Sequence, residues 1–401
     1  MAYSRLRAAT FPLKRPLETP DVLPSVLDVV AAEKPADPLH CLRPATVTAA
    51  AERFLARFPG QVLYAVKCNP EPSVLRALHR GGIRRFDVAS VREAQLIRQL
   101  FADADLHYMH PVKPRAAIRE AWAKLGVRDF ALDSLDELEK IRAETKPAKA
   151  GEAVLPGLFV RLALPKGGAV YDLSGKFGAD AEEAAALLRV ARPLASRLGV
   201  TFHVGSECLD PAAYTRAIER AAAVIAASGV TVDVLDVGGG FPSRYPGMEP
   251  PALDLYMETI KAAVASHGLG ALELWAEPGR ALVAEGTSVV VQVLLRKKKR
   301  LYVNDGIYGA LSDAGKPGFR YPARVIRLGG TPAAETAAFE LMGPTCDSAD
   351  RMKGPFLLPA DVKEGDFIEL GQLGAYGAAL RTAFNGLDRA RLVEVADPAF
   401  D

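Results

Sequence analysis

A few residues in this chain have types and spacings suited to chemistry. Lys67 closes the run LYAVK (63–67). An ammonium desolvated at the end of such a run loses proton affinity and becomes a usable amine nucleophile. Read alone, it is better explained as a strand-end lysine reaching solvent, so its neighbours decide. The triplet Gly238–Gly240 offers backbone N–H groups unobstructed by side chains, as a phosphate nest requires. A glycine triplet by itself also makes a tight turn. Gly279 and Arg280 add further amides and a guanidinium fork that would converge on the same phosphate. Glu277 stands two residues before that loop, where a carboxylate repels phosphate but suits a cation elsewhere on the same ligand. His203 alone reads equally well as a satisfied core histidine or as an aromatic plate against a planar cofactor. Ser206, three residues on, is placed to donate to phosphate. An amine, an acid for a protonated pyridine nitrogen, a phosphate nest and an aromatic plate together describe a site for pyridoxal 5′-phosphate.

Such residues need a scaffold that gathers them. Eight short apolar runs, QVLYAV (61–66), RFDVA (85–89), LHYMH (106–110), DFALD (129–133), LFVRLA (158–163), VTFHV (200–204), VDVLDV (232–237) and LELWAE (272–277), read as strands buried on both faces. Helix-patterned stretches separate them: Ser90–Phe101, Pro114–Leu125, Ser134–Arg142, Ala179–Leu198, Pro211–Ala227 and Pro251–His267. Ser90 with Glu93, Ser134 with Glu137, and Pro211 after Asp210 are helix-start signals. The pattern predicts an α/β fold, a (β/α)8 TIM barrel, with a doubly wound open sheet as the alternative. In such a barrel chemistry sits at the C-terminal ends of the strands. Lys67, Asp87, Asp133, Arg161, His203, the glycine triplet and Glu277–Arg280 all fall in or just after strands.

After Arg280 the rhythm changes. Thr287–Leu295 is a long β-branched run, followed by Arg300–Asn304, Ala323–Ile326, Phe339–Met342 and Asp366–Leu370 between Gly and Pro turns, which predicts a C-terminal all-β domain. The expected division is an N-terminal extension (1–39) that adds a strand to the β-domain, a barrel (40–282) and the β-domain (283–401). RKKKR (296–300) reads as a solvated strand edge.

Composition narrows the function classes. The 401 residues carry a net charge of +2, which gives no general field for nucleic acid or a membrane surface. With 49% hydrophobic residues the chain builds a sizeable core, and no apolar run approaches the ~20 residues of a membrane span. Cys41, Cys68, Cys208 and Cys346 lie far apart, with no zinc-ligand spacing, so neither a metal site nor a disulfide framework is expected. A cytoplasmic location is expected.

The segments YAVKCNP (64–70), FDVAS (86–90), HVGSE (203–207), LDVGGGFP (235–242), AEPGR (276–280), VNDGIYG (303–309), GPTCDSAD (343–350) and GAYGAAL (374–380) resemble the ornithine decarboxylase family. The likeness runs in family order from about residue 40 to 390. It implies an alanine-racemase-like barrel with a β-domain, pyridoxal 5′-phosphate as cofactor, and decarboxylation of a small basic amino acid. It also implies roles. Lys67 would form the Schiff base with the cofactor, Glu277 would pair with its pyridine nitrogen, and His203 would stack on its ring, with Asp87 and Arg161 in support. Ser206, Gly239, Gly240, Gly279, Arg280 and Tyr376 would hold the phosphate. Cys346 and Asp347 would reach into the active site of the other subunit of a head-to-tail homodimer, Cys346 as the acid that protonates Cα.

Asp347 bears on substrate choice. The sequence CDS resembles the ornithine and lysine enzymes, in which this Asp binds the distal ammonium, whereas relatives acting on diaminopimelate carry Glu there. The chain departs from eukaryotic ornithine decarboxylases after NDGIYG: ALSDAGKPGFRYP (310–322) lacks their Tyr-Asp pair, and Asp313 or a water is the expected replacement. The expected activity is conversion of L-ornithine to putrescine in polyamine biosynthesis, with L-lysine to cadaverine alongside. The alternatives are a diaminopimelate or carboxynorspermidine decarboxylase, and a non-catalytic regulator of the antizyme-inhibitor kind.

Overall fold

The computed structural model describes residues 23–146 and 154–400. The expectation for residues 1–39 therefore lies partly outside the described residues. The chain begins with α1 (Val26–Glu33), capped by Ser25, and then β1 (Leu39–Leu42) and α2 (Pro44–Arg57). Eight strands then close a parallel barrel: β2 (Gln61–Ala65), β3 (Arg85–Val88), β4 (Asp105–Tyr108), β5 (Asp129–Leu132), β6 (Gly157–Arg161), β7 (Arg197–Thr201), β8 (Val234–Asp236) and β9 (Glu273–Ala276). The helices between them are α3 (Pro72–Arg80), α4 (Val91–Leu100), α5 (Arg115–Lys124), α6 (Leu135–Glu144), α7 (Ala181–Ala191), α8 (Ala212–Ser228) and α9 (Leu253–Ser266).

Local chemistry sets these boundaries. The Ser90 and Ser134 hydroxyls accept from the Glu93 and Glu137 amides, so α4 and α6 start where the sequence places them. Among the barrel strands the widest departure is β7. It runs from 197 to 201 rather than 200 to 204, and α7 stops at Ala191. Pro193 ends the helical pattern in a single 3-10 turn, Arg192–Leu194. Gly199 masks the strand in sequence. It is required there because a Cβ would lie 2.3 Å from the Phe159 ring. That ring packs inside the barrel with Leu63, Met109, Ala131, Val234 and Trp275, so the interior is a filled core rather than a pore.

Beyond α10 (Arg280–Val283) the chain builds a mixed sheet from β10 (Thr287–Lys297), β11 (Arg300–Val303), β12 (Ala323–Ile326), β13 (Thr336–Met342), β14 (Arg351–Pro359), β15 (Phe367–Leu370) and β16 (Arg391–Glu394). A four-residue helix, α11 (Ser312–Gly315), interrupts it. Strand β1 lies between β10, antiparallel, and β16, parallel. Arg43, which follows it, reaches Glu369 at 2.8 Å and Ser288 at 2.9 Å, all three buried. The RKKKR segment is the end of the β10–β11 hairpin, paired Lys297 to Arg300, and not the edge of the sheet. Among the described residues no helix is long and apolar enough to cross a membrane.

Candidate active site

The barrel's C-terminal rim collects the residues singled out in the sequence. Strand β2 ends in a 3-10 turn, Val66–Cys68, which carries Lys67. The turn is tied down by Ala65 N–H donating to the Pro278 carbonyl at 3.1 Å and Tyr376 N–H to the Cys68 carbonyl at 2.9 Å. Lys67 Nζ lies 2.8 Å from Asp87 Oδ2 in the neighbouring strand. The lysine is half-exposed and the aspartate buried. Burial lowers the proton affinity of Lys67, but Asp87, Glu277 and Tyr376 outweigh it, and the net direction is upward. This differs from the sequence expectation of a weakly basic lysine, because the acids around the rim outnumber its one ammonium.

Two of those acids lie deeper. Glu277 follows β9, its N–H on the Gly238 carbonyl at 2.8 Å, and Asp236 ends β8, its Oδ1 accepting from Gly238 N–H at 2.9 Å. Both are buried. Burial, and then each other's charge for Glu277, raises both proton affinities. Among the described residues Glu277 Oε1 has no hydrogen-bond partner.

His203 sits two residues past β7 rather than at its end, and its Nδ1 accepts from Gly205 N–H at 3.0 Å. Burial, then the charges of Arg161 and Lys67, hold it far below its ordinary proton affinity, so it is a neutral ring. Gly239 makes room for that ring: a Cβ there would lie 3.1 Å from His203 Nε2 and 2.6 Å from the Glu277 carbonyl. Gly240, at φ +101°, would put a Cβ 2.4 Å from the Gly205 carbonyl. Among the described residues neither the Gly239 nor the Gly240 amide has a protein acceptor. Gly279 packs on Cys68, where a Cβ would come within 2.9 Å of the Cys68 Cβ, and Tyr376 adopts φ +63° above Arg280, whose guanidinium lies 5.2 Å from its ring.

Arg280 is caged. It donates to the Tyr245 hydroxyl at 2.9 Å and to Asp313 Oδ2 at 3.0 Å, with Glu207 Oε2 3.5 Å from its Nε. Asp313 Oδ1 accepts from the Tyr171 hydroxyl at 3.0 Å. Tyr171 belongs to the segment after β6, which pairs with Ser206 through two backbone bonds of 3.0 Å. Asp313 is therefore buried with both oxygens engaged, and the expectation that it replaces a distal-ammonium acid does not match its surroundings.

Cys346 and Asp347 stand apart. Cys346 is an exposed free thiol on the loop after β13, its N–H on Asn385 Oδ1 at 3.1 Å. Asp347 bonds the Tyr308 hydroxyl and accepts from Ala349 N–H at 2.9 Å, which keeps it ionised. Among the described residues no hydrogen bond or ion pair joins either one to Lys67, Glu277 or Arg280. Sequence reasoning passed over Asp236, Glu207 and Tyr171. The first two lie inside the quoted segments LDVGGGFP and HVGSE, but nothing in the sequence marks them as buried.

The site fits pyridoxal 5′-phosphate. Glu277 offers a buried acid for a positive N–H, two glycine amides lie open for phosphate, and a neutral ring stands beside the glycines. Lysine, acid and phosphate cradle on the rim of a closed parallel barrel define a pyridoxal phosphate enzyme of the barrel class. Residues 45–284 match the model of the pyridoxal-dependent decarboxylase family, pyridoxal binding domain. The chain belongs to that family. Ornithine decarboxylase of Schizosaccharomyces pombe is 32% identical over 85% of this chain and 79% of its own length. Antizyme inhibitor 2 of Xenopus laevis is 31% identical over 84% and 76%. Among solved structures, the Paramecium bursaria Chlorella virus arginine decarboxylase bound to agmatine superposes with TM-score 0.79 at 25% identity, covering 92% of this chain and 98% of the other. The Vibrio vulnificus lysine/ornithine decarboxylase with putrescine gives TM-score 0.76 at 30% identity, covering 92% and 97%. The chain is a pyridoxal phosphate-dependent decarboxylase of basic amino acids.

Proposed function

We propose that the substrate is L-ornithine, with L-lysine alongside, and that two copies of the chain share each active site. The observation behind this reading is Asp347, an ionised carboxylate next in sequence to the exposed thiol of Cys346, on a loop that, among the described residues, no hydrogen bond or ion pair joins to Lys67. A carboxylate so placed suits an ammonium at the far end of a substrate held over the partner's barrel. A substrate lacking that ammonium leaves the acid without a partner and is rejected.

The bound cofactor supplies an electron sink for the pair left when the bond from Cα to the carboxylate breaks. The chain supplies the rest. Lys67 would hold the cofactor covalently, and Asp87 holds the lysine Nζ in place. Glu277, ionised by a positive N–H, would keep the ring nitrogen protonated, a preorganised charge of the kind that contributes most in such sites. His203, neutral and fixed by Gly205 N–H, would face the cofactor ring, with Arg161 in support. The Gly239 and Gly240 amides, Ser206, Gly279, Arg280 and Tyr376 hold the phosphate. Cys346 of the partner subunit would give a proton to Cα, and Asp347 of the partner subunit would hold the distal ammonium.

Release of CO2 from ornithine, lysine, arginine and diaminopimelate by the purified protein tests the reading. The highest kcat/KM is expected on ornithine, and Asp347→Asn is expected to raise KM far more than it lowers kcat. Release from diaminopimelate alone, or from none of the four, overturns it. Retention of Lys67, Glu277, Arg280 and Cys346 sets the chain against a purely regulatory role.

A further inference from the structure

Among the described residues, three buried polar atoms at the top of the barrel lack hydrogen-bond partners: Thr201 Oγ1, Asp236 Oδ2 and Glu277 Oε1. They come from three successive strand ends. Thr201 and Asp236 face each other in register across β7 and β8, and Glu277 leaves β9 beside them. The two residues bracket Gly238, whose N–H donates to Asp236 Oδ1 and whose carbonyl accepts from the backbone N–H of Glu277. They lie within hydrogen-bond reach of each other. The titratable groups facing them are Asp87 and Lys67, and Lys67 is already paired with Asp87 at 2.8 Å. Two ionised carboxylates buried side by side without a cation of their own repel too strongly to persist.

We propose that Asp236 and Glu277 hold a single proton between them, and that Asp236 is the positioning residue that carries it once Glu277 faces the cofactor ring nitrogen. The second half rests on the role given to Glu277 above. In the cofactor-free chain the proton sits on Glu277. When a positive N–H arrives, the proton passes from Glu277 Oε1 to Asp236 Oδ2, and the charge of the pair does not change. Asp236 then donates its O–H to Glu277 while its Oδ1 keeps the Gly238 amide, so the carboxylate is aimed as well as ionised. Thr201, its hydroxyl otherwise unused, completes the row by donating to Asp236. Both carboxyls have raised proton affinity, with burial the first cause, in agreement with this picture.

Infrared spectroscopy of protein carrying an isotopic carbon label in the side-chain carboxyl of either aspartate or glutamate tests the proposal. Spectra are taken in mildly alkaline solution, above the value of about 7 to which burial pushes Glu207. One protonated-carboxyl stretch is expected that is absent from both Asp236→Asn and Glu277→Gln. It should move with the glutamate label in cofactor-free protein and with the aspartate label in the holoenzyme. Titration of unmutated protein supplies a check that needs no variant, since the band should outlast the ordinary carboxyl range. Absence of the band, or its survival in both variants, overturns the shared proton. A band that stays on glutamate in the holoenzyme overturns the role of Asp236. Because no substrate is present, these outcomes are separate from failure of the decarboxylase assay.

Discussion

Asp313 Oδ2 and Arg280 Nη2 meet at 3.0 Å, with both side chains no more than 4% exposed. Removing one member of a buried pair leaves an uncompensated charge and costs about 3–5 kcal/mol. Phosphate is a substitute partner for the guanidinium. Asp313→Asn is therefore expected to lower the Tm of cofactor-free protein clearly and that of the holoenzyme much less. Thermal melts with and without pyridoxal phosphate check this, and an equal drop in both counts against a phosphate role for Arg280.

Arg43 fastens the entry to the barrel onto the C-terminal sheet through Glu369, which is fully buried. Arg43→Ala leaves that carboxylate to Arg324 and the Ser288 hydroxyl and is expected to cost toward the lower end of about 3–5 kcal/mol in urea unfolding. Arg43→Lys keeps the charge but cannot reproduce the fork to Ser288 and Glu369, and is expected to recover only part of the loss.

His40, on β1, is 4% exposed, and burial followed by the nearby Arg381 pushes it from 6.5 down to about 3. Below pH 6.5 the unfolded chain takes up a proton that the folded one refuses. The contribution of a neutral His40 is thus full above pH 6.5 and is lost as pH falls toward about 3. Unfolding free energies of the wild type and His40→Asn, measured against pH, should draw together or cross over that window. A constant difference refutes the assignment.

Shared active sites predict complementation. Lys67→Ala and Cys346→Ala are each expected to lose several orders of magnitude in turnover as homodimers. Mixed and allowed to exchange at random, they should recover about a quarter of wild-type activity, because half the dimers then hold one intact site of two. No recovery, with exchange confirmed, places each site within a single chain.

Much of this architecture was legible because its determinants are local. Buried parallel strands read as short apolar runs, and Ser90 and Ser134 announce the helices they cap. What stayed hidden depends on distant partners. Strand β14 is broken in sequence by Gly354-Pro355, yet pairs along β13 from Thr336–Pro359 to Met342–Arg351. Residues 39–42 are a strand only because β10 and β16 flank them. In the site, Lys67, Glu277 and the glycine triplet stand out by type and position. Asp236 looks like any aspartate before a turn, and Asp313 looks free until Arg280 and Tyr171 take its oxygens. Proton affinity is equally non-local, which is why Lys67 departs from the value that burial alone suggests.

The threading of β1 has a consequence for biosynthesis. Leu39–Leu42 leaves the ribosome early, but its neighbours Thr287–Val290 and Arg391–Glu394 emerge only after the barrel, some 250 to 350 residues later. Until then an apolar strand has both edges open, a template for pairing with other nascent chains. Premature termination before β16 therefore leaves one of those edges bare for good, and truncated products should collect in inclusion bodies even when their catalytic barrel is whole.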